Sequence, residues 1–215
     1  MKNKKLVIFD MDGTILNTLD DLYLCTVYAL ESCGYPAVDK NTVRKFTGRG
    51  VRFMVKNCMP DGTTDREFES VISAFLPYYG EHCDDHTRPY PDVCRVIEKL
   101  RARGYKTAVL SNKIGFAVED LCEKHFDGLF DDILGQTDGL KPKPEPDGII
   151  KILGDLNVKK EDAVLVGDSD IDILTGYNAD IDVIGVDWGF REREILTGLG
   201  VKTIVSRPEE LLSVL

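Results

Sequence analysis

The sequence has only three histidines, a single tryptophan and no apolar run approaching the about 20 residues that a membrane-spanning helix needs. Neither a membrane partner nor an imidazole-rich metal site is therefore expected. Six cysteines are present (Cys25, Cys33, Cys58, Cys83, Cys94 and Cys122), but no two form a CxxC pair. Without that spacing they indicate neither a zinc site nor a disulfide framework, and they read as reduced thiols used for packing. The Lys-rich start MKNKK leads into a short apolar run with no small-residue cleavage site, unlike a signal peptide, so a cytoplasmic protein is expected. Positive charge is also short: 27 Lys and Arg against 37 Asp and Glu leave a formal net charge of −10. Nucleic acid is excluded as a partner on this ground, because phosphate backbones are held by clustered Lys and Arg. An anionic substrate would have to be met by local charge, which a divalent cation can supply.

What is present is enough to fold: 215 residues with 43% hydrophobic content suit one large core, or a core with a smaller insert. Short apolar runs recur at LVIF (6–9), TAVLS (107–111), AVLVG (163–167), DVIGV (182–186) and TIV (203–205), each followed by a polar turn and a helical pattern. Continuous runs alternating with helices predict a parallel sheet covered on both faces, an α/β doubly wound core. Between the first run and the second no strand is evident. Leu19, Leu22, Tyr23, Thr26, Val27 and Leu30 share one helix face, ended by Gly34 and Pro36; Phe68, Val71, Ile72, Phe75 and Leu76 share another. The spacing predicts an inserted helical subdomain over residues 17–83, with 1–16 and 84–215 forming the core. The chain would return through DDHTRPYPDV (84–93), whose two prolines suit a hinge, into a helix from Val93 to Arg103.

In a parallel α/β sheet, ligands bind beyond the carboxyl ends of the strands. Four segments fall there: DMDGT (10–14), SNK (111–113), LKPKPEPD (140–147) and GDSDID (167–172). Asp12-Gly13 alone would read as a hairpin turn, yet the pattern after Gly13 is helical and holds no returning strand. Asp10 and Asp12 at one strand end, with Asp168, Asp170 and Asp172 at another, repel one another unless a cation lies among them, and an all-oxygen donor set favours Mg²⁺. Mg²⁺ commonly works with phosphate, to whose oxygens Thr14 and Ser111 can donate hydroxyl hydrogen bonds while a lysine balances charge. One aspartate can attack phosphorus, and its neighbour two residues on can protonate the leaving oxygen and later activate water. A small phosphorylated metabolite is the substrate class this inventory suits.

These segments, in this order, resemble the haloacid dehalogenase superfamily of phosphatases: DMDGT stands for its DxDGT motif, Ser111 for its second-motif Ser/Thr, a lysine before the KPxP helix for its third, and GDSDID for its acidic GDxxxD motif. The resemblance implies Asp10 as nucleophile, Asp12 as general acid and base, and Thr14, Ser111 and Asn112 as phosphate contacts. It also implies Mg²⁺ held by Asp10, the backbone carbonyl of Asp12, and Asp168, with Asp172 behind them. KPKPEP offers both Lys141 and Lys143. Lys143 places Ile149, Ile150, Leu153 and Leu156 where the family's helix is apolar, and is taken as the site lysine. The insert resembles the family's helical cap. Within it FTGRGVRFM sets Arg49 between Gly48 and Gly50, similar to a loop that reads the leaving group, and an arginine there suits a substrate carboxylate. DGTILNTLDD, KPKPEPDG, VGDSDIDILTGYNA and DWGFRE resemble most the bacterial phosphoglycolate phosphatases, implying 2-phosphoglycolate as substrate and a monomer or homodimer. Two positions depart from that subgroup: Asn17-Thr18 replaces the frequent Asp-Ser, and Asp180 the frequent Gly.

Several residues are expected to be structural: Arg191 in DWGFRE as a loop anchor rather than a substrate contact, His82, His86 and His125 as surface or packing residues, and Asp84-Asp85 as solvated. Two other readings share the same inventory. A sugar phosphomutase would pass the phosphoryl group to another hydroxyl, although Thr14 after Gly13 looks more like the phosphatases. A signalling receiver domain is much shorter and lacks a helical insert.

Overall fold

The computed structural model describes residues 4–215, so the first three residues of the Lys-rich start lie outside it. Eight strands form in chain order: β1 (Leu6–Phe9), β2 (Leu16–Asn17), β3 (Arg88–Pro89), β4 (Lys106–Ile114), β5 (Asp132–Gln136), β6 (Ala163–Gly167), β7 (Asp182–Val186) and β8 (Ile204–Val205). Six of them make one parallel sheet in the order β5-β4-β1-β6-β7-β8. The chain leaves β1 for β4 and β5 on one side and returns to β6 on the other, so β1 lies at the topological switch point. Phe9 is level with Val109 of β4 and with Val166 of β6, which brings Asp10, Ser111 and Asp168 to one edge.

The strands are apolar because both faces are covered. Val7, Phe9, Val109, Val164 and Val166 face one packed cluster with α5 (Val93–Ala102) and α6 (Gly115–Phe126). Leu6, Ile8, Ala108, Leu110 and Leu165 face another with α7 (Asp147–Asp155). Within α7, Ile149, Ile152 and Leu153 are buried, while Ile150, one of the apolar positions matched to the family's helix, is exposed. Two further crossover helices follow, α8 (Asp170–Asn178) from β6 to β7 and α9 (Arg193–Gly198) from β7 to β8.

Between β2 and β3 run four helices, α1 (Leu19–Ser32), α2 (Lys40–Phe46), α3 (Val51–Cys58) and α4 (Asp65–His82), with a core of their own that includes Leu30, Val43, Val55, Val71 and Phe75. Helix α4 begins on a capping box, Thr64 with Glu67, which satisfies the first free amides of an 18-residue helix. At the base of the insert, buried Asp21 of α1 accepts from the amides of His86 and Thr87 and from the Thr87 hydroxyl. Both chain crossings are thereby held side by side.

Three features differ from the sequence reading. First, the hinge is a two-stranded antiparallel ribbon, β2 with β3, in a region read as strandless; two-residue strands leave no periodicity to detect. Second, β5 has no counterpart among the apolar runs. It is an edge strand, only partly buried, that begins on Asp132 and carries Gly135, where a side chain would collide with Gly115 and Val118 of α6. Third, Asp84 is not solvated: His125 Nε2 lies 2.5 Å from its Oδ1 and Lys124 pairs with it, while Asp85 meets His82 Nδ1 at 2.8 Å. The αL conformation of Asp180 explains why glycine suits that position, since aspartate is among the few side chains that tolerate it.

Candidate active site

The end of β1 turns sharply, and Gly13 makes the turn possible: its φ is +89° and an added Cβ would lie 2.5 Å from Asp168 Oδ2. That close approach brings Asp10, Asp168 and Asp172 together, with all three carboxylates buried and one oxygen from each within 4.8 Å of the others. Asp172 is positioned by the first turn of α8, in which it is the third residue. It forms a capping box with Ser169, accepting from the Ser169 amide at 3.1 Å and hydroxyl at 2.6 Å, and its other oxygen faces inward. Lys143 reaches into the cluster, its Nζ 2.7 Å from Asp10, 2.6 Å from Asp172 and 3.1 Å from the Leu110 carbonyl, whereas Lys141 is exposed.

The electrostatics are unbalanced. Three carboxylates and one ammonium leave a formal charge of −2 in a buried volume. Burial first, then the neighbouring Asp172, pushes Asp10 well above the usual carboxylate range and Asp168 up to about 7. Burial opposes the charge on Lys143, yet Asp10 and Asp172 hold it above the usual lysine range. An all-oxygen cluster that lacks two positive charges fits a hard divalent cation such as Mg²⁺.

Asp10 and Asp12 also line a cavity of about 500 Å³, its open mouth included, between the sheet edge and the helical insert. Ser111, Asn112 and Lys113 supply the rest of its core-side polar wall; Leu22, Met54, Phe75 and Tyr79 are among the insert residues opposite. Ser111 Oγ accepts from the Lys113 amide at 3.2 Å, which leaves its proton available to a ligand. Asn112 is a bracket: its Oδ1 accepts the Lys143 amide at 2.7 Å, and its Nδ2 donates to the carbonyls of Lys143 at 2.9 Å and Gly48 at 3.0 Å. Thr14 does not line this cavity; its hydroxyl lies 3.3 Å from Asp168 Oδ1. Nor does Arg49, which pairs with Asp170 at 2.9 Å.

Five residues around Asp12 and Asp168 were not assigned from the sequence. Thr18 donates to Asp12 Oδ1 at 2.7 Å, and Lys113 Nζ lies 2.9 Å from the same oxygen while donating to the Tyr79 hydroxyl of α4. Burial opposes the charge on Lys113, but Asp12 raises it above the usual range. The loop after β7 supports the opposite side: the Trp188 indole donates to the Thr14 carbonyl at 3.0 Å and the Phe190 amide to Asp168 Oδ2 at 2.6 Å. The one available signal was the lysine of SNK at a strand end; its partners Asp12 and Tyr79 are distant in sequence.

Comparison with known proteins matches this geometry to a family. The haloacid dehalogenase-like hydrolase model matches residues 7–186. A phosphoglycolate phosphatase of Aquifex aeolicus is 30% identical over 98% of this chain and 96% of its own. The crystal structure of a protein from Lactobacillus delbrueckii subsp. bulgaricus superposes with a TM-score of 0.93 at 36% identity, over 100% of this chain and 98% of that one. A predicted phosphoglycolate phosphatase from Haemophilus somnus reaches 0.92 at 28% identity, over 100% and 99%. With the model spanning most of its length, from β1 to β7, the chain belongs to the haloacid dehalogenase-like hydrolase family.

Proposed function

We propose that the chain is a Mg²⁺-dependent phosphatase of small phosphate monoesters, with 2-phosphoglycolate the leading substrate, acting through an aspartyl-phosphate on Asp10. The observation that carries this reading is the double membership of Asp10, which both lines the cavity and belongs to the buried acidic cluster. Asp10, the Asp12 carbonyl and Asp168 would hold Mg²⁺, with Asp172 behind them; when bound, the cation supplies the missing positive charge and keeps these carboxylates ionised.

Asp10 attacks phosphorus from the floor of the cavity. Asp12, held by Thr18 and Lys113, gives a proton to the leaving oxygen and then takes one from the water that cleaves the acyl phosphate. Ser111 donates to a phosphate oxygen, Lys143 offsets the negative charge that Asp10 and the incoming phosphate bring together, and Asn112 holds the Lys143 loop in place. The helices of residues 17–83 act as a cap whose apolar wall excludes water. Six free cysteines suit a reducing, cytoplasmic setting.

The test is a phosphate-release screen over small phosphomonoesters with and without Mg²⁺, beside Asp10→Asn. Release only with Mg²⁺ and only in the unsubstituted protein is expected; metal-independent release, or full activity in the variant, overturns the reading. Transfer to a sugar hydroxyl in place of release would mark a mutase.

A further inference from the structure

The cap loop Thr47–Gly50 lines the cavity, yet what fixes it belongs to the core. Arg191, in the loop after β7, has a side chain only 10% exposed and donates from Nη1 to the Arg44 carbonyl at 2.9 Å and from Nη2 to the Thr47 carbonyl at 2.6 Å. Both carbonyls lie at the C-terminal end of α2, where a helix leaves acceptors unpaired and carries partial negative charge, so a buried guanidinium is well matched there. Its Nε lies 3.4 Å from Asp170 Oδ1, and the other oxygen of Asp170 receives Arg49 from the cap at 2.9 Å. Core Arg191 thus holds cap backbone, cap Arg49 holds core Asp170, and Asp170 accepts from both. The Gly48 carbonyl is taken by Asn112.

The contacts differ in weight. Arg49 is 46% exposed, and a solvated ion pair contributes little. The two charge-assisted bonds of Arg191 to backbone are shielded from water and are the stronger part. Phe190, its neighbour, gives its amide to Asp168, so one short segment fixes both the cap loop and a carboxylate of the acidic cluster.

We infer that Arg191 is a positioning residue for catalysis, a clasp that sets the closed position of the cap loop over Asp10 and so determines how tightly substrate is held. The role rests on the phosphatase reading only for its kinetic consequence; the clasp itself is read from amide exchange, without turnover.

Arg191→Gln in the full chain should raise deuterium uptake at the amides of residues 47–54 by about tenfold, the loss expected for charge-assisted hydrogen bonds. KM for a small phosphate monoester should rise by a similar, about tenfold factor while kcat changes much less. Arg191→Lys, which keeps a charge and a donor, should recover part of both. Arg49→Gln, at an exposed site whose loss leaves the core intact, should raise exchange in the same segment by a smaller factor. Exchange unchanged in both Gln variants overturns the clasp, as does a fall in kcat with KM and exchange unmoved. If no phosphate ester is turned over by the unsubstituted protein, the function fails while the exchange result still judges the clasp.

Discussion

Lys143 is the residue on which the acidic cluster turns. It touches Asp10 and Asp172 at once and is the only cation among the described residues paired with either of them. Lys143→Met should lower kcat/KM by about 100-fold or more, the loss typical of a single group aimed at developing charge. Removing one partner of a buried ion pair also destabilises by roughly 3–5 kcal/mol, so the denaturant midpoint in the absence of Mg²⁺ should fall as well. Lys141→Met, at an exposed position, should leave both unchanged; the reverse pattern in phosphate-release assays would sink the assignment. Thr18→Val should reduce kcat by about tenfold, since it takes from Asp12 a short hydrogen bond while leaving packing intact. Wild-type kcat in that variant would mean that Thr18 does not position Asp12. DMDGT, SNK and GDSDID could be read directly because each follows a legible apolar run and carries its chemistry in a few contiguous residues, whereas the strand before LKPKPEPD left no such run. Lys113, Thr18 and Tyr79 could not, because their importance lies in partners supplied by other elements, and a hydrogen bond across elements leaves no periodic trace in sequence.

At the scale of elements, the site depends on register and on caps. Pairing Phe9 with both Val109 and Val166 is what makes DMDGT, SNK and GDSDID converge. A one-residue slip would turn Asp10 away. β4 was readable as an apolar run, but it extends through Ser111–Ile114 with a register shift after Leu110, so the SNK residues belong to the strand rather than to the turn beyond it. The long, continuous runs of the central strands were legible because both faces are buried; β2, β3 and β5 were not, being two residues long or half-exposed at an edge. Caps decide where the helices begin. Thr64→Ala removes the capping box of α4 and should cost about 1 kcal/mol in urea unfolding. No loss there would mean that packing of Phe68, Ile72 and Phe75 alone holds the helix end.

For the molecule as a whole, the acidic cluster makes stability depend on pH and on the cation together. Asp168 is pushed up to about 7 by burial and by Asp172, whereas the unfolded chain gives up that proton near 3.8. Between those values this group binds more protons in the folded state than in the unfolded one, so without Mg²⁺ its own contribution to stability is full below about pH 4 and is lost as pH rises toward about 7. Mg²⁺ binds the deprotonated carboxylates. It should therefore raise the thermal unfolding midpoint more at pH 8 than at pH 5, where it must displace protons. Equal shifts at both pH values would show that the cluster is not the cation site. No helix among the described residues is long and apolar enough to cross a membrane.

The central claim is that Asp10 carries the phosphoryl group, and it can be tested by trapping it. In Asp12→Ala the base that activates water is gone, while an aryl phosphate leaves without needing a proton, so the first step can run and the second stalls. Mass spectrometry of the acid-quenched, Mg²⁺-loaded variant should find the peptide containing residues 6–18 heavier by one phosphoryl group, and should not find it after Asp10→Asn is added. A phosphoryl group on any other peptide, or turnover with no adduct at all, would contradict the account.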